Sequence, residues 1–398
     1  MSTVCSALGA LAALSAGLAP SAVADDVQSQ QWYLDAMKAD EMWKVSTGKG
    51  VKIAVIDSGV NPETPSLRGK VLVDEVRGRA AYHVTKDYTG HGTSMAEIIA
   101  GTGADGGLRG LAPGAEIVPY RIAYNDLKGT EARKTASSAE AIKAAADSDS
   151  KIINMSYGAY LSYQGEREAV KYAASKGKLM FASVGNDADT HNLPEYPAAY
   201  PYVVGVAAAD ESGTVGKFSE HGDYIDLAAP GRNIPVWCDE TLRSYCAKQG
   251  TSQASAIASA SAALIWSAHP RWTANQVLRA LIDTASRSWP KNKPSNYLGY
   301  GLIRPRKILE DKNINPGPAK SDPLSYENWT GETDSSASPS AAASSQAPKS
   351  TSGGQTSAAG SSSKSADSTT LWTILGAVAA VVVIGVGAFA ATRKRRGA

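Results

Sequence analysis

Three short strings each set one reactive side chain against glycine: Val55-Ile56-Asp57-Ser58-Gly59, Gly90-His91-Gly92-Thr93 and Gly250-Thr251-Ser252-Gln253. A serine hydroxyl attacks a carbonyl carbon poorly until a base takes its proton, and an imidazole serves as that base only when an acceptor holds the right tautomer. Asp57, His91 and Ser252 are the three groups this chemistry needs. A fourth follows the apolar run Leu179 to Val184. It is Asn186, whose amide can donate to a developing oxyanion from the carboxy end of a strand.

The histidines narrow the choice of base. His83, His191 and His221 lie in polar, irregular stretches, and His269, before Pro270, reads as a helix cap. Only His91 is flanked by glycines and followed by a helical pattern, 93–100. The dipole of that helix disfavours imidazolium at its N-terminus, so the ring is expected to stay neutral and ready to accept a proton near pH 7. Ser252 opens an apolar-periodic run through Ala254, Ile257, Ala258, Ser261, Leu264 and Ile265, which reads as a small-residue helix buried in a core. The Ser252 N–H then lies at the positive end of a helix dipole, where an oxyanion is held.

These strings resemble those of subtilisin-type serine peptidases, over about residues 31–311. The likeness extends to Gly110-Leu111-Ala112-Pro113-Gly114-Ala115, Ile152-Ile153-Asn154-Met155-Ser156-Tyr157-Gly158, Tyr196-Pro197-Ala198, Phe218-Ser219 and Asp226-Leu227-Ala228-Ala229-Pro230-Gly231. The chain order of acid, histidine and serine is also that family's. The resemblance implies a peptide-bond hydrolase working through an acyl-enzyme. In it Asp57 orients the imidazole, His91 is general base then acid, Ser252 is the nucleophile and Asn186 the oxyanion donor. It also implies that Ser156, Tyr157 and Gly158, with Ser183, Val184 and Gly185, wall the pocket for the residue before the scissile bond. They would pair with an extended peptide by strand addition. A small or apolar side chain is expected there, with Val184 narrowing the space.

The chain also departs from the family. Ser94 and Glu97 stand where a second histidine and a glycine are frequent, and Gln253 and Ala256 replace a frequent methionine and proline. None of these removes a catalytic atom. Glu97 is the oddest, because a carboxylate beside a tight helix contact must be solvated or paired.

Strand-like runs at 51–56, 116–122, 151–155, 179–184 and 202–207 alternate with helical patterns at 93–100, 138–147, 164–176, 253–267 and 274–285. Such alternation implies an α/β fold of subtilisin-like, three-layer form, with a mostly parallel central sheet and helices on both faces. Asp57 and Asn186 fall at the carboxy ends of strands, where open α/β sheets place their sites. The aromatic segment Gln31 to Trp43 is expected to pack onto the domain surface.

The ends point to location. Residues 1–24 read as a signal peptide, with Ala22-Val23-Ala24 as the cleavage site. The peptidase domain with a short N-terminal extension is expected over 25–312, then a disordered Ser/Ala/Pro-rich stalk over 313–370. Residues 371–392 carry no charge, are long enough to span a bilayer as a transmembrane helix, and lead into a basic tail, 393–398. The positive-inside rule leaves that tail in the cytoplasm and the catalytic domain outside, a single-pass type I arrangement. Cys238 and Cys246 enclose a short loop and, in an exported protein, are expected to form a disulfide; two free thiols are the alternative.

This plan is similar to that of the mycosins, membrane-anchored subtilisin-like proteases of bacterial type VII secretion. Protein or peptide substrates, the bacterial cell membrane and a secretion complex are therefore the candidate partners. A binding scaffold in such a complex, with secondary or no peptidase activity, is the alternative function. A net charge of +2 argues against nucleic acid. No cofactor is expected, and no His and Cys cluster has metal-ligating spacing. The resemblance allows structural calcium, but no ligand loop is legible.

Overall fold

The computed structural model describes residues 27–123, 127–325 and 328. The expected signal peptide, the greater part of the stalk, the 371–392 segment and the basic tail lie outside them. Among the described residues no helix is long and apolar enough to cross a membrane.

Two short helices, α1 (Trp32–Met37) and α2 (Ala39–Trp43), precede strand β1 (Lys52–Asp57) and helix α3 (His91–Ala100). There follow β2 (Glu116–Arg121), α4 (Gly129–Lys134), α5 (Ser138–Asp147), β3 (Ile152–Met155), α6 (Gln164–Ser175), β4 (Leu179–Ser183), β5 (Val203–Ala209) and β6 (Leu227–Pro230). The hairpin strands β7 (Ile234–Trp237) and β8 (Tyr245–Lys248) lead into α7 (Thr251–Ala268), α8 (Ala274–Thr284) and α9 (Pro305–Glu310).

Strands β1 to β6 form one parallel sheet in the order β2-β1-β3-β4-β5-β6. Side chains of a strand alternate between faces, and here both faces are dry. Ile53 and Val55 of β1 enter the core beneath α3 and α7, while Ala54 and Ile56 enter the one beneath α5 and α6. Helix α7 is buried from Thr251 to Trp266. Its alanines and serines let it lie close against the sheet, as expected of a helix apolar on all sides.

Two expectations change. The segment from Gln31 to Trp43 does not merely coat the surface: Tyr33 and Met42 are buried in the main core, and the Trp43 indole donates to Leu111 O at 2.8 Å. The stalk does not begin at 313, because Ile314 and Leu324 pack on that core, and Gly317 O and Ala319 O accept bonds from Gln276 and Thr273 at 2.9 and 2.8 Å. Two apolar anchors in a polar stretch are too sparse to register as a pattern. Strand β6 was legible only as a family string, since Leu227-Ala228-Ala229-Pro230 lacks the bulk that marks a strand.

Candidate active site

Asp57 is the last residue of β1 and fully buried, and His91 is the first residue of α3. The His91 Nδ1–H donates to Asp57 Oδ1 at 2.8 Å and Oδ2 at 3.0 Å. That fixes the tautomer and leaves Nε2 to accept a proton. The approach depends on Gly92, where a Cβ would lie 2.9 Å from Asp57 Cβ and collide with the Gly59 carbonyl.

Asp87 completes this corner. Its carboxylate accepts from the N–H groups of Gly90 at 2.9 Å and Thr93 at 2.8 Å, and from the Thr93 hydroxyl at 2.6 Å. It thus caps α3, whose own N-cap residue is glycine. Ser58 Oγ bridges Asp57 and Asp87, donating to the latter at 2.8 Å and receiving the Gly92 N–H at 3.0 Å. Burial opposes charge on the imidazole, but the attraction and hydrogen bond of Asp57, with Asp87 behind it, outweigh burial and lift the His91 pKa above 6.5. The helix dipole alone gave the opposite expectation. An acid in a polar loop carries no sequence signal beyond the Asp-x-x-x-x-x-Thr spacing, so Asp87 was missed.

Ser252 is the second residue of α7. Its hydroxyl donates to Ser156 O at 3.2 Å, while Ser156 Oγ donates to Ser252 O at 3.0 Å. The structure therefore joins Asp57 to His91, and Ser252 to the Ser156 segment, without a hydrogen bond between Ser252 and His91. Asn154 of β3 sets the register beneath: its Oδ1 accepts from Ser255 Oγ at 3.0 Å and Ser259 Oγ at 3.1 Å, and its amide donates to Ser156 Oγ at 2.9 Å.

Asn186 follows β4 and is exposed. Its Oδ1 accepts the Thr251 N–H at 2.8 Å, which turns the NH₂ end into the remaining donor. Of the six expected wall residues, Ser156 and Ser183 are nearly buried and Gly158 is exposed. The Tyr157 and Val184 side chains turn into the core beneath α5 and α6, the phenol donating to Glu166 at 3.1 Å. Val184 therefore does not narrow the pocket.

Two carboxylates fill space beside the glycines of these walls. A Cβ on Gly158 would meet the Glu195 carboxyl carbon at 3.0 Å, and one on Gly185 would meet the same carbon at 2.9 Å and collide with the Glu220 carboxylate. Burial, then the Asp187 charge, pushes Glu195 up to about 7. Burial, then the Glu195 charge, pushes Glu220 up to about 8. Neither glutamate was singled out from sequence, because each joins the site only through a distant segment.

The β7–β8 hairpin flanks α3. Cys238 and Cys246 are disulfide-bonded across its mouth, with Cα atoms 5.1 Å apart. Glu97 is buried in α3, and burial raises its pKa to about 7. The Tyr245 hydroxyl donates to it at 2.9 Å, and Trp237 N donates to Ser94 Oγ at 3.0 Å. The two departures from the family pattern in α3 thus both fasten this hairpin.

Comparison with known proteins identifies the family. The subtilase family profile matches residues 48–301. Thermitase of Thermoactinomyces vulgaris is 32% identical over 278 residues, which span 68% of this chain and 95% of thermitase. The crystal structure of MycP1 from Mycobacterium smegmatis superposes with a TM-score of 0.58 at 26% identity, covering 73% of this chain and 86% of MycP1. Another MycP1 structure, described as a serine protease and an essential component of the type VII (ESX-1) secretion system, gives a TM-score of 0.60 at 28% identity, covering 72% and 90% of the two chains. A match running from ahead of β1 to beyond β6 makes this chain a member of the subtilase family, Peptidase S8, and a serine endopeptidase.

Proposed function

We propose that the enzyme hydrolyses peptide bonds through an acyl-enzyme on Ser252, at the outer face of a bacterial membrane. The observation that carries this reading is the hydrogen bond of 2.8 Å between His91 Nδ1 and the buried Asp57, in a fold that packs α3, which His91 opens, against α7, which carries Ser252 as its second residue. With Nδ1 tied to Asp57, His91 Nε2 takes the Ser252 proton as the hydroxyl turns from Ser156 O towards the ring. Such bonds commonly tighten only when substrate arrives. The Asn186 NH₂ and the Ser252 N–H receive the oxyanion. His91 then returns the proton to the leaving amine, and water repeats the sequence to free Ser252.

The uncharged segment 371–392, followed by Arg393-Lys394-Arg395-Arg396, supports a C-terminal anchor that leaves the catalytic domain outside. The likeness to MycP1 supports work alongside a type VII secretion complex. An activated ester tests the chemistry: the full-length chain is expected to release one burst of leaving group per enzyme, and Ser252→Ala none. A burst that survives in Ser252→Ala places the nucleophile elsewhere.

A further inference from the structure

We propose that Glu195 and Glu220 make the pocket between residues 156–158 and 183–185 select a lysine or arginine side chain, so that the enzyme cuts after basic residues. The inference rests on the reading of those segments as the pocket walls.

Backbone pairing brings both glutamates there. Ala159 and Tyr196 exchange hydrogen bonds at 2.9 and 2.8 Å, which lays residue 195 along the first wall. Glu220 N donates to Gly185 O at 3.3 Å, and Ala188 N donates to Phe218 O at 3.1 Å, which lays residue 220 along the second. Both carboxyl groups reach the volume that a single Cβ on Gly185 would take, so they are neighbours. Asp187 adds a third acid at the rim, where the Tyr160 hydroxyl donates to it at 2.6 Å.

Among the described residues no lysine, arginine or histidine forms an ion pair with Glu195, Glu220 or Asp187. Glu220 is fully buried; its Oε2 accepts a long bond from the Tyr224 hydroxyl at 3.4 Å, and its Oε1 has no hydrogen-bond partner. A buried carboxylate oxygen left bare is costly unless a partner arrives. Gly158 and Gly185, lacking side chains, leave the room that the two carboxyl groups occupy, with Glu195 the half-exposed member of the pair. Among the described residues no group of three or more His, Cys, Asp or Glu is arranged to hold a metal ion, so a long cationic side chain is the better match. A guanidinium in particular presents several donors to two neighbouring carboxylates.

The test uses the full-length chain and peptides that differ only before the cleaved bond. Cleavage after arginine or lysine is expected to exceed cleavage after leucine or alanine by about tenfold or more in kcat/KM, and the double change Glu195→Gln, Glu220→Gln is expected to lower that ratio by about the same factor. Benzamidine, a cation that needs no nucleophile, is expected to bind the Ser252→Ala form in calorimetry and to lose affinity in the double variant. A preference for leucine or alanine, in enzyme whose Ser252 reacts with a fluorophosphonate, overturns the pocket assignment and leaves the nucleophile standing. Benzamidine binding alongside an inert wild type upholds the pocket and defeats the peptidase reading.

Discussion

At the scale of residues, the proposed base, His91, is tuned by two carboxylates rather than one. Asp57 holds the His91 ring by direct bonds, and Asp87 adds negative charge through Ser58 and the α3 cap. Because the His91 pKa is raised, the neutral ring that accepts a proton gains population only as pH climbs. The pH profile of kcat/KM is therefore expected to rise with an inflection above 6.5. Asp87→Asn, which keeps hydrogen-bonding capacity but removes charge, is expected to move that inflection down; an unmoved inflection denies Asp87 its electrostatic part. Asp57→Asn removes the acceptor that sets the tautomer and is expected to cost about 10⁴-fold in kcat. For Asn186→Ala the expected loss is about 10²- to 10³-fold in kcat with KM little changed. A rise in KM alone would assign Asn186 to ground-state binding instead.

Among the elements, α3 answers to the disulfide hairpin as well as to the sheet. Glu97 is the group whose titration reports this contact. Its folded pKa is raised from 4.5 to about 7, so the folded state holds the proton more tightly than the unfolded chain. Stability is thus fullest below pH 4.5 and is lost as pH rises through about 7. At about 1.4 kcal/mol per unit, the loss from this group is on the order of 3 to 4 kcal/mol. Denaturant midpoints at pH 5 and pH 8 are expected to differ less in Glu97→Gln, which can still accept from Tyr245, than in the wild type. Equal differences would show that Glu97 stays charged or solvated. Reducing the Cys238–Cys246 bond is expected to lower stability by about 2–3 kcal/mol, read from the same unfolding curves with and without reductant.

For the whole molecule, legibility followed how local each signal was. Asp57, His91, Ser252 and Asn186 could be singled out because each sits where a strand or helix ends, in a string whose glycines and periodicity are visible nearby. The parallel sheet was legible for the same reason, since Ile53 to Ile56 and its counterparts are short, mostly apolar runs. Groups that depend on distant segments were not legible. Asp87 meets Asp57 only through Ser58, and Glu195 and Glu220 meet only beside Gly185. Residues 313–325 join the domain through Ile314 and Leu324, which no periodicity marks. The proposed anchor is tested by cell fractionation: the full chain is expected in the membrane pellet after alkaline washing, and a chain ending at residue 370 in the medium. A full chain recovered in the soluble fraction would remove the membrane from the account.

The sharpest single measurement maps the site of a fluorophosphonate adduct on the full-length enzyme by peptide mass spectrometry. The adduct is expected on Ser252 and nowhere else, disappearing with Ser252→Ala and falling steeply with His91→Ala. An adduct on another serine, or equal labelling of the wild type and Ser252→Ala, would contradict the assignment of this hydroxyl as the nucleophile.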